Sequence, residues 1–204
     1  KYKGKCAGSF GLGGCISFYP AKTLGCFGDG GLVLTNDDEI YNKIMLMRDH
    51  GRGDDGNISI WGFNSRLDNL QAGILNVFFK DYDNTVERRR QIAKLYHENL
   101  NTIHNIVLPP PPDENGNHFD IFQNYEIETE KRDELKQHLS NNGIGTLIQW
   151  GGKAVHEFRD LGFEQVLPFT EKLMRNSLML PLNMTVTDEE VAYICDKVNS
   201  FYKI

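Results

Sequence analysis

Hydrophobic positions recur along this chain with two periods, one near two residues and one near 3.6, and the alternation between them predicts the elements. Residues 16–19 are a short apolar run of strand formers, and Pro20 cannot continue a central strand, so the chain turns there. Asp29-Gly30-Gly31 reads as a turn and 31–35 as the strand returning from it. Ile40, Ile44 and Met47 then line one face of a helix, with Asn36 as its N-cap, Glu39 three residues on, and an end near His50-Gly51. Residues 51–62 are a polar, glycine-rich loop. Ser65 is predicted to cap a second helix, with Asp68 at its third position and Leu67, Leu70, Ile74 and Val77 along one face. A third helical pattern covers 86–100, and its charged start, Glu87-Arg88-Arg89-Arg90, reads as a solvated face.

From Ile106 the character changes. Pro109 to Pro112 make an extended segment, and 113–117 is a turn-rich loop. Residues 121–127 read as a strand, 132–142 as a helix stopped by Gly143, and 146–150 as another strand. Thr187 and Glu190 form a capping box for a last helix faced by Val191, Ile194, Val198 and Phe201. The pattern is that of an α+β module following a first part, with the boundary near residue 85, giving domains 1–85 and 86–204.

Composition narrows the classes. With 204 residues, 40% of them apolar and 11% aromatic, the chain can bury a substantial core. Its formal charge of −6 argues against a nucleic-acid or anionic-membrane partner held by bulk electrostatics, and no apolar run reaches the length of a membrane span. No secretion signal is evident, and the chain does not begin with Met. Cys6, Cys15, Cys26 and Cys195 are spaced too irregularly for a metal knuckle and read as free thiols of a cytoplasmic protein. The six histidines form no H-x-x-x-H pair, so no metal site is expected.

The candidate chemistry lies at the first turn. Lys22 follows the 16–19 strand at once, among small and aromatic residues bounded by Gly25, Gly28, Gly30 and Gly31. That setting suits an amine that must be partly desolvated, and a neutral lysine amine forms Schiff bases with carbonyl cofactors such as pyridoxal phosphate (PLP). A lysine that merely decorates a glycine-rich turn is the other reading, and spacing alone leaves both open. Gly8-x-x-Gly11-x-Gly13-Gly14 lacks the flanking strand and helix of a phosphate loop and reads as a connection.

The run Ser17-Phe18-Tyr19-Pro20-Ala21-Lys22-Thr23-Leu24-Gly25, continued to Gly31, resembles the Schiff-base lysine segment of the DegT/DnrJ/StrS family of PLP-dependent sugar aminotransferases. Arg48-Asp49-His50-Gly51, the stretch 62–72, Asn142 to Thr146 and 178–181 extend the resemblance in the expected order. It implies an α/β fold: the C-terminal part of a fold-type I PLP-dependent transferase, comprising the end of the large cofactor domain and a small α+β domain. In that case the chain is part of a longer protein or one chain of a split one. The implied activity is transfer of an amino group, with glutamate as donor, to a nucleotide-linked keto-sugar in polysaccharide or glycoconjugate biosynthesis. Lys22 is then the catalytic Schiff-base residue and general base and acid. Ser17 binds the cofactor phosphate, and Asn64, at a helix start, reaches the cofactor of the partner in a homodimer with shared active sites. Arg66 and His156 are weaker substrate candidates. Where members of the family often show histidine, this chain has Gln123 and Gln149, expected on two strands of the small domain, either as a coupled change in the sugar pocket or as side chains that only bond backbone there. The alternatives are a PLP- or PMP-dependent sugar dehydratase of the same family, a branch that commonly has histidine in place of the lysine, and an inactive truncated relative acting as a binding or partner subunit.

Overall fold

Two antiparallel strands carry the lysine segment. β1 (Gly13–Ser17) pairs with β2 (Gly31–Thr35) in a register that sets Ser17 opposite Gly31 and Gly13 opposite Thr35. The first strand therefore lies three residues earlier than its apolar run suggests and ends before Tyr19. Thr35 Oγ1 accepts from the Asp37 amide at 3.1 Å, leading into helix α1 (Asp38–Met47). The N-cap is Asp37 rather than Asn36: its Oδ1 accepts from the amides of Glu39 at 2.9 Å and Ile40 at 3.0 Å. Within the 51–62 loop, Arg52 and Ile58 form a backbone bridge.

The computed structural model describes residues 1–113 and 116–202, so Glu114 and Asn115 of the expected 113–117 turn lie outside it. The chain divides into two units. The first holds residues 1–85 and the described part of 114–119; the second holds 86–113 and 120–202. Helix α2 (Asn69–Phe79) belongs to the first unit, and α3 (Tyr82–Leu100) runs through the point of division. α2 begins at Asn69, with Asp68 as N-cap, so Ser65 does not cap it. Its buried residue is Leu75, whereas Leu70 and Val77 of the expected stripe are 74% and 62% exposed.

In the second unit β3 (Tyr125–Glu128) pairs antiparallel with β4 (Ser177–Leu180). Helices α4 (Arg132–Asn141), α5 (Pro168–Asn176) and α6 (Asp188–Tyr202) complete it. α4 ends one residue before the expected limit. α5, started by Pro168 in its first turn, lies outside the elements predicted from the sequence. The expected strands are shorter. Only Tyr125–Glu128 of 121–127 pairs in β3, and in 146–150 only Leu147 bridges, to Met179, before a 3-10 turn over Gln149–Gly152. The core joins Ile92, Tyr96 and Leu100 of α3 to Ile127, Leu135, Leu139, Leu178 and Val198. The Thr187–Glu190 capping box forms as read: Thr187 N–H donates to Glu190 Oε2 at 2.9 Å, and Glu190 N–H to Thr187 Oγ1 at 3.2 Å.

The charged start of α3 is not a solvated face. Arg89 is buried, and its Nη1 donates to the carbonyls of Phe122 and Gln123, both at 3.1 Å. Arg88 reaches Asp188 and the Val186 carbonyl, each at 2.7 Å, and Arg90 the Asp120 carbonyl at 2.7 Å. Three consecutive arginines thus fasten two irregular chain segments through their carbonyls.

Candidate active site

The β1–β2 connection, residues 18–30, is held in shape by its own backbone. Phe18 N–H donates to the Gly30 carbonyl at 2.8 Å, and Cys26 N–H to the Phe18 carbonyl at 2.8 Å. Inside this clasp Tyr19-Pro20-Ala21-Lys22 forms a β-turn closed by Lys22 N–H donating to the Tyr19 carbonyl at 2.8 Å, with Pro20 at the position its fixed φ suits. Gly25 packs so closely on this turn that a Cβ there would stand 2.8 Å from the carbonyl oxygens of both Tyr19 and Pro20. The buried Cys26 thiol lies 3.1 Å from the Phe18 carbonyl and 3.0 Å from that of Gly28. Sγ of Cys26 is also the atom that a Cβ at Gly30 would meet, at 2.7 Å. Lys22 therefore leaves a backbone fixed on both sides. Its side chain, expected to be partly desolvated, is exposed.

Ser17 ends β1 one turn before the lysine. Its Oγ accepts from the Tyr19 amide at 3.2 Å, which leaves the hydroxyl proton as a donor to offer outward. Gln71 of α2 reaches the same loop: its Oε1 accepts from the Phe27 amide at 2.8 Å. Gln71 lies in the stretch 62–72 that carries part of the resemblance, but nothing in its own residue type points to a partner 44 positions away.

Asn64 does not stand at a helix start, because α2 begins five residues later. It is placed instead by the end of α1. Phe63 N–H donates to the Met47 carbonyl at 2.7 Å, His50 N–H to the Phe63 carbonyl at 2.9 Å, and Ser65 N–H to the Arg48 carbonyl at 2.9 Å. This backbone zipper presents Asn64 on an exposed edge, where its Oδ1 accepts from Arg66 Nε at 3.0 Å. Arg66 Nη1 also donates to Asp49 Oδ1 at 3.1 Å, and Arg52 Nη2 to Asp49 Oδ2 at 2.8 Å. The hydrogen bond from Arg52 leads the effects that hold the Asp49 carboxyl below the usual carboxylate range.

The candidates of the second unit separate. Gln123 lines a cavity of about 330 Å³ with Asn124, Thr146, Met179 and Pro181. Gln149 is not among the residues lining it, and neither glutamine lies on a strand, because the strands are shorter than their apolar runs. The expected geometry for a coupled pair is therefore not met. His156 is 4% exposed, with its Nε2 3.2 Å from Glu171 Oε1. That oxygen also accepts from the Leu167 amide at 3.0 Å, so His156 is engaged in joining two segments of the unit. Among the described residues no group of three or more His, Cys, Asp or Glu side chains is placed to hold a metal, and no helix is long and apolar enough to cross a membrane. All four cysteines are free thiols.

A model of the DegT/DnrJ/EryC1/StrS aminotransferase family matches residues 1–199, and the chain belongs to that family. It is 36% identical, over its whole length, to the pleiotropic regulatory protein of Geobacillus stearothermophilus, of which it covers 55%. It is 32% identical, over 98% of its length, to the dTDP-3-amino-3,4,6-trideoxy-alpha-D-glucose transaminase of Streptomyces venezuelae, of which it covers 53%. Among solved structures, it superposes with a TM-score of 0.90 on a DegT DnrJ EryC1 StrS aminotransferase from Brucella abortus. The two are 32% identical, with 100% of this chain and 54% of that chain covered. The α/β fold is that of the fold-type I PLP-dependent transferases, and the chain spans about half the length of the curated relatives it matches.

Proposed function

We propose that this chain is part of a PLP-dependent aminotransferase that moves an amino group from an amino acid, glutamate by family resemblance, to a nucleotide-linked keto-sugar for polysaccharide or glycoconjugate synthesis. The observation that carries the reading is the clasped hairpin, which ends β1 on the Ser17 hydroxyl and presents the Lys22 amine from a closed β-turn. The transaminase from Streptomyces venezuelae named above supports the same class. The lysine at position 22 favours amino transfer over the dehydratase reading. Residues 1–85 are then the end of the cofactor domain and 86–204 the small domain of a cytoplasmic homodimer.

The residues present fit PLP at both of its ends. Ser17 offers a hydroxyl donor to a phosphate, and Lys22 an exposed amine on a rigid turn. When bound, the cofactor supplies the carbonyl and the electron-accepting ring. Lys22 holds it covalently through Nζ and, once released, takes and returns a proton at that nitrogen as general base and acid. Asn64 retains its Nδ2 donors, since Arg66 occupies its Oδ1, and serves the phosphate held by the partner subunit. Cys26 and Gln71 keep the hairpin in shape.

The test is borohydride reduction of the PLP-loaded, full-length protein followed by peptide mapping. The reading requires a phosphopyridoxyl group on Lys22. An adduct on another lysine, or on none, refutes it.

A further inference from the structure

Three arginines of the first unit converge on one cavity. Arg48, Arg52 and Arg66 line a space of about 380 Å³ together with Asp49 and Asp54. Asp49 divides its two oxygens between Arg52 and Arg66, so one carboxylate answers two guanidinium groups. Among the described residues no carboxylate pairs with Arg48: its Nη1 points to Met45 Sδ at 3.9 Å, a weak acceptor. It is half-buried at the end of α1, where a cation without an anion is costly. Even with Asp54 counted, the lining carries three positive and two negative side chains.

The donors outnumber their uses. A guanidinium carries five N–H groups in a planar fork. Arg52 spends one on Asp49, and Arg66 spends one on Asp49 and one on Asn64. The fork matches the oxygens of a phosphate two at a time, whereas a lysine would act as a point charge. The arginines are also set by fixed backbone. Arg48 N–H donates to the Ile44 carbonyl at 2.9 Å, and Arg52 sits on its bridge to Ile58. This electropositive cavity adjoins Asn64, through the Arg66–Asn64 hydrogen bond.

We propose that Arg48 and Arg52, with Arg66, form a diphosphate-binding site that takes the diphosphate of the nucleotide-linked sugar. The proposal rests on the function proposed above and adds to it the two arginines of α1 and its following loop. The amino donor's carboxylates are the competing source of anionic oxygen, and the experiment separates the two.

The test uses the full-length, PLP-loaded protein and titration calorimetry with inorganic pyrophosphate, with UDP, dTDP and GDP, and with glutamate. Arg48→Gln and Arg52→Gln are the variants, with Arg48→Lys and Arg52→Lys as charge-keeping controls. Arg66 is left alone because it supports Asn64. Pyrophosphate binding should weaken roughly tenfold or more in each Gln variant, the scale for a hydrogen bond between charged groups. It should recover partly in the Lys variants and fall as salt rises in the wild type. The nucleoside diphosphates should follow pyrophosphate, while glutamate binding stays unchanged. Absence of pyrophosphate binding to the wild type overturns the site. So does a loss confined to glutamate, or equal pyrophosphate affinity in folded variants that still carry PLP on Lys22. Failure of the function reading is distinguishable: it appears as a wild type without PLP on Lys22, and the pyrophosphate titration reports on the arginines in either case.

Discussion

The first unit carries the candidate chemistry on a thin core, and the second carries a thick core with little of that chemistry. Among the described residues, buried hydrophobics in the first unit reduce to Phe18, Cys26 and Leu75, whereas one cluster in the second joins α3, α4, α6 and both strands. The first unit leaves Trp61 97% exposed, and Phe27, Phe63 and Leu70 are exposed as well. Its order comes from backbone hydrogen bonds, close glycine contacts and ion pairs: the Phe18–Cys26 clasp, Gly25 against Tyr19, and Asp49 between two arginines. The second unit is held by burial, with arginines fastening irregular segments to it. Directional contacts fix a reactive group without covering it; apolar packing stabilises but encloses. Lys22, Asn64 and Arg66 stay exposed because they stand on the first kind of scaffold.

The sharpest way to break this contrast is truncation in each unit. Ile127→Ala, in β3 at the centre of the second core, should cost about 2–5 kcal/mol in urea denaturation. Leu70→Ala, on the exposed face of α2, should change the stability of residues 1–204 by less than about 0.5 kcal/mol. Equal costs would mean that the exposed face of α2 is packed after all. Next in size, Arg89→Met removes the donor for two carbonyls and should cost about 1.5–3 kcal/mol, with faster amide exchange at the start of β3. A neutral result would return Arg89 to the solvated face that its sequence suggested.

Gln71→Ala should cost about 1 kcal/mol and speed exchange of the Phe27 amide, while Gln71→Glu, which keeps the acceptor, should restore protection. Unchanged exchange would show that the hairpin stands without α2. The smallest effect is a pH dependence in the second unit. The Leu167 amide, then His156, holds the Glu171 carboxyl below its ordinary value of 4.5. A carboxyl depressed in the folded state contributes stability above its unfolded pKa and loses it as pH falls through the folded value. The difference in melting temperature between wild type and Glu171→Gln should therefore be constant near neutrality and close as pH drops below 4.5. A difference that grows in acid would reverse the sign of this contribution.

By itself the sequence determined what depends on near neighbours. The strand Gly31–Thr35, the stop of α4 before Gly143 and the Thr187–Glu190 capping box were legible because turn chemistry, caps and periodicity act over a few residues. The turn that carries Lys22 was legible for the same reason, with Pro20 and Gly25 marking it. The tertiary structure alone decided where the arginines of α3 go, since their acceptors lie 23 to 100 residues away and the charges by themselves read as surface. It also decided that Asn64 is set by the end of α1, that Gln71 holds the lysine hairpin, and that Gln149 leaves the cavity lined by Gln123. Strand ends and stripe exposure belong to the same class. An apolar run states that burial is favourable, but which of its residues finds a partner is set by chain that packs from elsewhere.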